Sequence, residues 1–166
     1  MQVVIAQPSH LNSTMQSIQA CTSKLCSIGI DQWDEEYPSH EIVSEAVENQ
    51  TLYLIEKDGL VAGAVGLDCN QPNEYQSCSW SYAAPSMVVH HLFVRPSFWR
   101  QGLAAELMSF AENHAKTLNV GSIRLDAYKE NPAALSLYRN RGYSEAGEVT
   151  FPRRGLSFVV FERQVQ

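Results

Sequence analysis

The sequence predicts an α/β (α+β) fold with a mixed, mostly antiparallel twisted sheet and helices on both faces. Two observations support this prediction. Apolar residues change their period along the chain in the order β α α β β β α β α β β. Segments that can pair as hairpins come first, and a strand–helix–strand crossover follows them. The 166 residues are enough for one core, so we expect a single domain over residues 1–166.

The first third of the chain contains one short strand and two helices. Residues 2–6 form an apolar run that suits a strand, and residues 8–27 follow with helical spacing and end near a glycine. A second helix is expected over residues 40–49, because Ser39 is a favourable N-cap. The segment between the helices, residues 31–38, is acidic and aromatic and has no period.

A hairpin follows the second helix. Its strands are expected at residues 51–56 and 60–67, and Asp-Gly at residues 58–59 is a favoured two-residue turn. The return strand contains two glycines, which indicate close packing or a bulge. Residues 68–85 are polar and form a long loop, and loops of that length are usually functional or mobile.

The centre of the chain combines a buried strand with a turn that suits an anion. Residues 88–94 are apolar and β-branched except for two histidines, and Pro96 ends the strand because it has no N–H. Apolar residues return at helical spacing over residues 103–118. The turn at residues 99–104 therefore lies at a helix N-terminus, where free N–H groups and the helix dipole favour an anion. Gly102 allows a phosphate to approach the backbone closely.

The last third contains another strand, a helix and a hairpin. Residues 122–128 alternate as a strand does. Asn131-Pro132 begins a helix, since Asn is a good N-cap and Pro suits the first helical position, and Gly142 ends it. The final hairpin is expected to pair residues 143–151 with residues 156–162.

Composition narrows the classes of function. The formal net charge of −6 argues against a nucleic-acid partner and is compatible with a cationic amine substrate. The first residues show neither a signal peptide nor a membrane span, so we expect a cytoplasmic protein without a membrane partner. The four cysteines form no C-x-x-C pair and are expected to be reduced. His90, His91 and a cysteine match no ligand spacing, so we expect no metal.

Two motifs resemble those of the GNAT acetyltransferase superfamily. Arg-Gln-Gly-Leu-Ala at residues 100–104 is similar to the family's pyrophosphate loop, Gln/Arg-x-x-Gly-x-Gly/Ala. Gly102 and Ala104 match this pattern, and Trp99 stands where Gln or Arg is usual. The family's second motif, Asn-x-x-Ala-x-x-Leu-Tyr-x-x-x-Gly-Phe/Tyr, is matched at Asn131, Ala134, Leu137, Tyr138, Gly142 and Tyr143. The order of elements is also the family's, so the resemblance covers nearly the whole chain.

The resemblance implies acetyl-CoA as co-substrate and direct transfer of its acetyl group to an amine in a ternary complex. It implies splayed central strands, with the pantetheine arm of acetyl-CoA lying as an added strand. The residues that it assigns to acetyl-CoA are Leu92, Phe93 and Val94 for the pantetheine arm, Arg100, Gln101, Gly102, Leu103, Ala104 and Ala105 for the pyrophosphate, and Asn131 and Tyr138 farther along the chain. Proteins of this family are often homodimers, although nothing in the sequence marks an interface.

The resemblance also provides two catalytic candidates. The Tyr138 hydroxyl would protonate the leaving thiolate, and the alternative is a core tyrosine with its hydroxyl satisfied. Some members carry a histidine or glutamate as base on the central strand, so His90 is the candidate base, with a structural histidine as the alternative. Strand alternation predicts His90 and His91 on opposite faces, with His91 packed against a helix.

Aromatic residues and a carboxylate suit an amine acceptor through cation–π and charge contacts. On this basis the expected acceptor residues are Trp33, Asp34, Tyr37, Tyr128 and Phe151, with a solvated acidic face as the alternative. The predicted function is acetyl-CoA-dependent N-acetylation of a small-molecule primary amine. The alternatives are acetylation of a protein N-terminus or lysine, and a non-catalytic acyl-CoA-binding module.

Overall fold

The computed structural model describes residues 2–83 and 85–165 of the protein. Its strands are β1 (Val4–Ile5), β2 (Leu52–Lys57), β3 (Leu60–Asp68), β4 (Ser86–Val94), β5 (Ser122–Tyr128), β6 (Ser144–Thr150) and β7 (Ser157–Gln164), and its α-helices are α1 (Leu11–Ser27), α2 (His40–Glu48), α3 (Leu103–Thr117) and α4 (Pro132–Asn140). They follow the order predicted from the sequence. Among the described helices, none combines the length and apolar character that crossing a membrane requires.

The seven strands form one mixed sheet in the order β1-β2-β3-β4-β5-β7-β6. Strands β4 and β5 pair in parallel, with Ser86 opposite Ser122. The pairs β1–β2, β2–β3, β5–β7 and β6–β7 are antiparallel. Parallel neighbours need a long crossover connection, and α3 lies between β4 and β5 in the chain. The predicted α/β class with a mixed, mostly antiparallel sheet is confirmed.

The chain forms two compact units. The first comprises Met1–Leu67 and His90–Ala111, and the second comprises Asp68–Val89 and Glu112–Gln166. Each unit therefore consists of two separate stretches of the chain. The expectation of a single domain stays a prediction.

The apolar sides of α1 and α2 build the core of the first unit. Ile18 and Cys21 of α1 are buried together with Val43 and Val47 of α2. The other buried members of this core are Ala6, Trp33, Leu52, Leu54, Val61, Ala64 and Phe93. Ser39 caps α2 as predicted, because its hydroxyl accepts a hydrogen bond from the backbone N–H of Ile42 at 3.3 Å.

The hairpin of β2 and β3 has the turn and the close packing that its sequence predicts. Asp58 and Gly59 have φ values of 54° and 74°, the left-handed conformation that a two-residue hairpin turn requires. A Cβ atom added at Gly63 would lie 2.8 Å from the carbonyl oxygen of Phe93, so only glycine fits there. The irregularity of this hairpin lies in the other strand, between Ile55 and Glu56.

In the second unit, a buried arginine connects the long loop before β4 to the sheet. Arg124 of β5 is 4% exposed, and its Nε lies 3.1 Å from Oε1 of Glu162 in β7. Its guanidinium also donates to Oε1 of Gln71 at 2.8 Å and to the carbonyl oxygen of Tyr82 at 2.7 Å. The centroid of the Trp80 ring lies 3.9 Å from the guanidinium carbon of Arg124. Charge-assisted hydrogen bonds thus hold this loop at several points.

Candidate active site

The turn between β4 and α3 has the backbone that an anion site requires. Arg100 and Gly102 have φ values of 61° and 82°, and α3 starts directly after them, with the N–H of Glu106 bonded to the Gly102 carbonyl at 3.0 Å. The N–H groups of the first turn of a helix have no partner within the helix. A Cβ added at Gly102 would meet no atom within 4 Å, so there is open space beside this backbone. The pyrophosphate group of acetyl-CoA fits these features, and Arg100 adds an exposed positive charge.

The remaining residues predicted for the pyrophosphate differ in their exposure. Oε1 of Gln101 accepts a hydrogen bond from Nζ of Lys57 at 2.5 Å, which adds a second cation beside the turn. Leu103 is 1% exposed and anchors the start of α3 in the core. Ala104 and Ala105 are half-buried, so they contribute backbone N–H groups and little side chain.

The carboxyl end of β4 is partly occupied by partners from the protein. The carbonyl oxygen of Val94 accepts hydrogen bonds from Nε1 of Trp99 at 2.6 Å and from the thiol of Cys21 at 3.2 Å. Burial raises the pKa of the Cys21 thiol to about 12, so Cys21 keeps the proton that it donates. Phe93 lies in the core, with its ring edge-on to Trp33 at 6.2 Å between centroids. The Val94 carbonyl is therefore already occupied. The sequence had suggested that the backbone of this strand end would be available to the pantetheine arm.

The two histidines of β4 lie side by side, and the expectation that they occupy opposite faces is wrong. Their ring centroids are 6.1 Å apart, with an angle of 34° between the ring planes. His91 has a φ of 49°, which interrupts the extended conformation that strand alternation assumes. A non-glycine residue in this conformation is uncommon and is enriched at functional sites.

Tyr37 completes a polar cluster with these histidines. Its hydroxyl lies 2.7 Å from Nε2 of His91, and the two rings are 5.4 Å apart. His91 thus contacts the segment between α1 and α2, and the expectation that it packs against a helix is corrected. His90 and His91 are both half-buried. The cluster of Tyr37, His90 and His91 brings three groups that can accept or donate protons to one place on β4.

The other residues predicted for an acceptor wall take more ordinary roles. Trp33 is only 7% exposed and belongs to the core of the first unit, so its ring offers little surface to a substrate. Oδ1 of Asp34 accepts hydrogen bonds from the backbone N–H groups of Glu36 and Tyr37, at 2.9 and 3.0 Å, and so shapes the segment that carries Tyr37. In the second unit, Tyr128 and Phe151 both pack against Phe158, at centroid distances of 5.6 and 5.1 Å.

Asn131 and Tyr138 of the second unit lie at the start and in the last part of α4. Asn131 is 8% exposed and caps α4, with its Oδ1 accepting from the N–H of Ala134 at 3.1 Å. Tyr138 is 5% exposed, with its ring 5.9 Å from Tyr143 and 5.7 Å from Phe161. Burial raises the pKa of Tyr138 well above its usual range, and the negative charge of Asp126 raises it further. The phenol therefore stays protonated at neutral pH.

Sequence reasoning missed Tyr75, which is bonded to Asp126. Tyr75 lies in a short 3₁₀ turn of the long loop and is 1% exposed. Its hydroxyl donates to Oδ2 of Asp126 at 2.6 Å, and burial raises its pKa well above the usual range. A tyrosine and a tryptophan within an otherwise polar stretch were the available signal, because such rings rarely stay in solvent together. The bond fixes the orientation of the carboxylate whose charge acts on Tyr138.

The four cysteines lie within the described residues and form no disulfide there; Cys21 is buried, Cys26 and Cys69 are exposed and Cys78 is half-buried. Within residues 2–83 and 85–165, no cluster of three or more His, Cys, Asp or Glu side chains is arranged to hold a metal ion.

Comparison with known proteins gives the family of the chain. The model of the acetyltransferase (GNAT) family matches residues 14–143. The chain is 28% identical to YesJ of Bacillus subtilis, an uncharacterized N-acetyltransferase, over 72% of this chain and 68% of YesJ. Similar folds occur in a GNAT-family acetyltransferase of Streptococcus agalactiae, with a TM-score of 0.85, 18% identity and coverage of 99% and 95% of the two chains. The ribosomal-protein-S18-alanine N-acetyltransferase of Escherichia coli has a TM-score of 0.70 at 13% identity, with coverage of 99% and 94%. Because the family model spans most of its length, this chain belongs to the GNAT acetyltransferase family.

Proposed function

We propose that the protein transfers the acetyl group of acetyl-CoA to a primary amine of a small molecule, by direct transfer in a ternary complex. The observation that supports this most strongly is the turn before α3. Its residues Arg100 and Gly102 are left-handed, open space lies beside Gly102 at a helix N-terminus, and the turn resembles the family's pyrophosphate loop. When bound, acetyl-CoA supplies the acetyl thioester that an unprotonated amine can attack.

The groups proposed to hold acetyl-CoA come from three separate stretches of the chain. The backbone N–H groups of residues 100–105, with the charge of Arg100, would hold the pyrophosphate. The backbone at Leu92, Phe93 and the N–H of Val94 would meet the pantetheine arm. Asn131 would contribute a hydrogen bond from the start of α4, and its cap to Ala134 holds the side chain in place for that role.

The cluster of Tyr37, His90 and His91 is the proposed acceptor of the proton that the amine loses. An ammonium group has no lone pair, so a base must remove a proton before or during attack. We assign the base to His90, directly or through water. The Tyr37–His91 hydrogen bond would orient the His91 imidazole beside His90 and restrict the tautomer of His91. A fixed orientation and a fixed tautomer of His91 favour one direction of proton transfer within the cluster.

Tyr138 is the proposed acid that protonates the leaving thiolate. Its raised pKa keeps the phenol neutral over the range in which amines and histidines titrate. The proton is therefore present in each catalytic cycle, and transfer to a thiolate leaves a phenolate that is re-protonated from solvent. Burial of the ring against Tyr143 and Phe161 holds the hydroxyl in one direction.

The choice of a small amine over a protein chain is supported by the segment before α2. Tyr37 in this segment reaches His91, so the segment covers part of the strand that carries the proposed base. A covered base favours a compact acceptor over an extended peptide. The name of the Escherichia coli neighbour states a protein alanine acceptor for that protein, and at 13% identity the likeness shows the fold alone.

A substrate panel tests this proposal. The protein would be incubated with acetyl-CoA and either small amines of different classes (alkyl diamines, aromatic amines, amino acids and amino sugars) or peptides with free N-termini and lysines. Products would be identified by mass spectrometry as a gain of one acetyl group. Turnover with a small amine, at kcat/KM well above that of any peptide, is expected. Preference for a peptide would reverse the acceptor assignment, and acetyl-CoA binding without turnover on any acceptor would support a binding module.

A further inference from the structure

The indole of Trp99 is hydrogen-bonded to the end of β4. This strand precedes residues 100–105, which are proposed to hold the pyrophosphate and are called the anion-binding turn below. Its Nε1–H donates a hydrogen bond to the Val94 carbonyl at 2.6 Å. Trp99 follows the 3₁₀ turn Pro96–Phe98 and directly precedes Arg100. The bond thus closes residues 94–99 into a loop. The end of this loop fixes the position of Arg100, the first residue of the anion-binding turn.

The turn needs such support because its backbone is intrinsically unfavourable. Arg100 is not a glycine and has a φ of 61°, which costs free energy that its surroundings must offset. With Gly102 also left-handed, successive N–H groups can converge into an anion-binding concavity only while this conformation persists. Neighbouring contacts come from Lys57, which donates to Gln101 and lies 5.4 Å from the centroid of the Phe98 ring.

The Val94 carbonyl and the N–H of the next residue are also held by elements of the first unit. The buried Cys21 thiol of α1 donates to it at 3.2 Å, and the N–H of Arg95 donates to the Ala62 carbonyl of β3 at 2.8 Å. Val94 is therefore anchored to two elements of the core, and Trp99 is anchored to Val94. A continuous series of hydrogen bonds therefore runs from the core to the anion-binding turn.

We propose that Trp99 is a positioning residue for the pyrophosphate of acetyl-CoA in this protein, acting through its hydrogen bond to the Val94 carbonyl. The family pattern has Gln or Arg at this place, side chains that carry several N–H donors. Trp99 offers one donor and uses it within the protein, so it shapes the turn instead of contacting the anion. This inference rests on the proposed function, because it assumes that the turn binds acetyl-CoA.

The test measures CoA binding directly, and the matched variant is Trp99→Phe. Phenylalanine keeps an aromatic ring and removes the indole N–H. Calorimetry with CoA should show an affinity about fivefold to tenfold lower than that of the wild type, the factor that corresponds to one lost hydrogen bond. Acetyl-pantetheine has no pyrophosphate, so kcat/KM with that thioester should fall much less in the variant than the affinity for CoA does. The contrast between the two compounds separates positioning of the turn from a general loss of folded protein.

Trp80→Phe is the control, because Trp80 also donates its indole N–H to a backbone carbonyl, that of Tyr75 at 3.0 Å. This variant should bind CoA as the wild type does. Wild-type affinity for CoA in Trp99→Phe would overturn the inference. An equal loss with CoA and with acetyl-pantetheine would also overturn it, by reducing Trp99 to a folding role. Failure of the wild-type protein to bind CoA would overturn the proposed function and this inference with it.

Discussion

At the scale of single residues, the state of Tyr138 determines whether it can act as an acid. Desolvation is the main reason that its pKa is raised, and the charge of Asp126 adds to it. A raised pKa makes the phenol a weaker acid but keeps its proton in place at neutral pH. A thiol ionises near pH 8.5, so its thiolate is a weaker base than a phenolate. Proton transfer therefore depends on geometry at the moment when negative charge develops on sulfur.

Tyr138→Phe is expected to lower kcat by about 10²-fold or more while leaving the affinity for acetyl-CoA nearly unchanged. The measurement is steady-state kinetics together with calorimetry. Tyr143→Phe is the control, since Tyr143 is a neighbouring buried tyrosine whose hydroxyl is bonded to Glu112 at 3.3 Å. That variant should lose stability and keep kcat. A Tyr138→Phe enzyme as fast as the wild type would return Tyr138 to a packing role.

A pH–rate profile tests whether a histidine of β4 acts as the base. If His90 is the base, log(kcat/KM) should rise with pH in a first step as the base loses its proton, and His90→Ala should remove that step. Alkyl amines lose their proton near pH 10, so the two steps are separable. Tyr37→Phe should lower kcat/KM, because it removes the hydrogen bond that constrains the adjacent His91 ring.

The control for this profile is His40→Ala, because His40 is exposed at the start of α2. Its profile should match that of the wild type. A lower step that persists in His90→Ala and disappears in His91→Ala would move the base to His91, whose ring lies beside it. Persistence in both variants would direct the search to Glu35, Asp126 or water.

At the scale of elements, local signals predict where helices and strands lie, because those signals are themselves local. Ser39 before α2, the Asp58-Gly59 turn and Asn131-Pro132 before α4 each act through backbone hydrogen bonds or dihedral angles within a few residues. The side-by-side histidines could not be predicted in this way. Alternation assumes that every strand residue is extended, and only the folded context holds His91 at a φ of 49°.

Helix α3 carries a pH-dependent contribution to stability at His114 in its last turn. Partial burial lowers the pKa of His114 below its ordinary value of 6.5. Between the lower folded pKa and the unfolded one, the unfolded chain binds more protons. The contribution is therefore present above pH 6.5 and is lost as the pH falls through the folded pKa.

His114→Gln should reduce the loss of stability that acidification causes. The measurement is the free energy of unfolding by urea at about pH 7.5 and about pH 5.5, in the wild type and the variant. Glutamine keeps a polar side chain and cannot titrate. His40→Gln serves as the exposed comparison and should follow the wild type at both pH values. An unchanged pH dependence in His114→Gln would assign the acid sensitivity to other groups.

At the scale of the whole molecule, the fold could be predicted because two motifs and the order of elements agree. The side-chain pairs that hold distant segments together could not be predicted. Arg124 and Glu162 are 38 residues apart, and Tyr75 and Asp126 are 51 apart. A single sequence contains no local pattern for a buried ion pair or hydrogen bond at such separation, since tertiary packing creates it. For the same reason Trp33 looked like part of an acceptor wall, although it packs in the core.

Global unfolding offers the last test of the cofactor site. A ligand that binds only the folded state at about 100 times its Kd adds about 2.7 kcal/mol of stability. For a chain of this size, about 1 kcal/mol raises Tm by about 2–4 °C, so acetyl-CoA should raise Tm by roughly 5–10 °C. Gly102→Glu should abolish this shift, because a carboxylate would enter the space that the phosphate needs and repel it.

Two variants separate this effect from backbone strain and from charge alone. Gly102→Ala imposes the same strain at a φ of 82° and meets no atom within 4 Å, so it should keep a larger part of the shift. Gly155→Glu adds the same charge at another left-handed glycine, with a φ of 62°, and should keep all of it. Differential scanning fluorimetry with and without acetyl-CoA measures all four proteins. A full shift in folded Gly102→Glu would show that acetyl-CoA binds elsewhere. A loss of equal size in Gly102→Ala would assign the effect to strain in the turn, because alanine brings no charge.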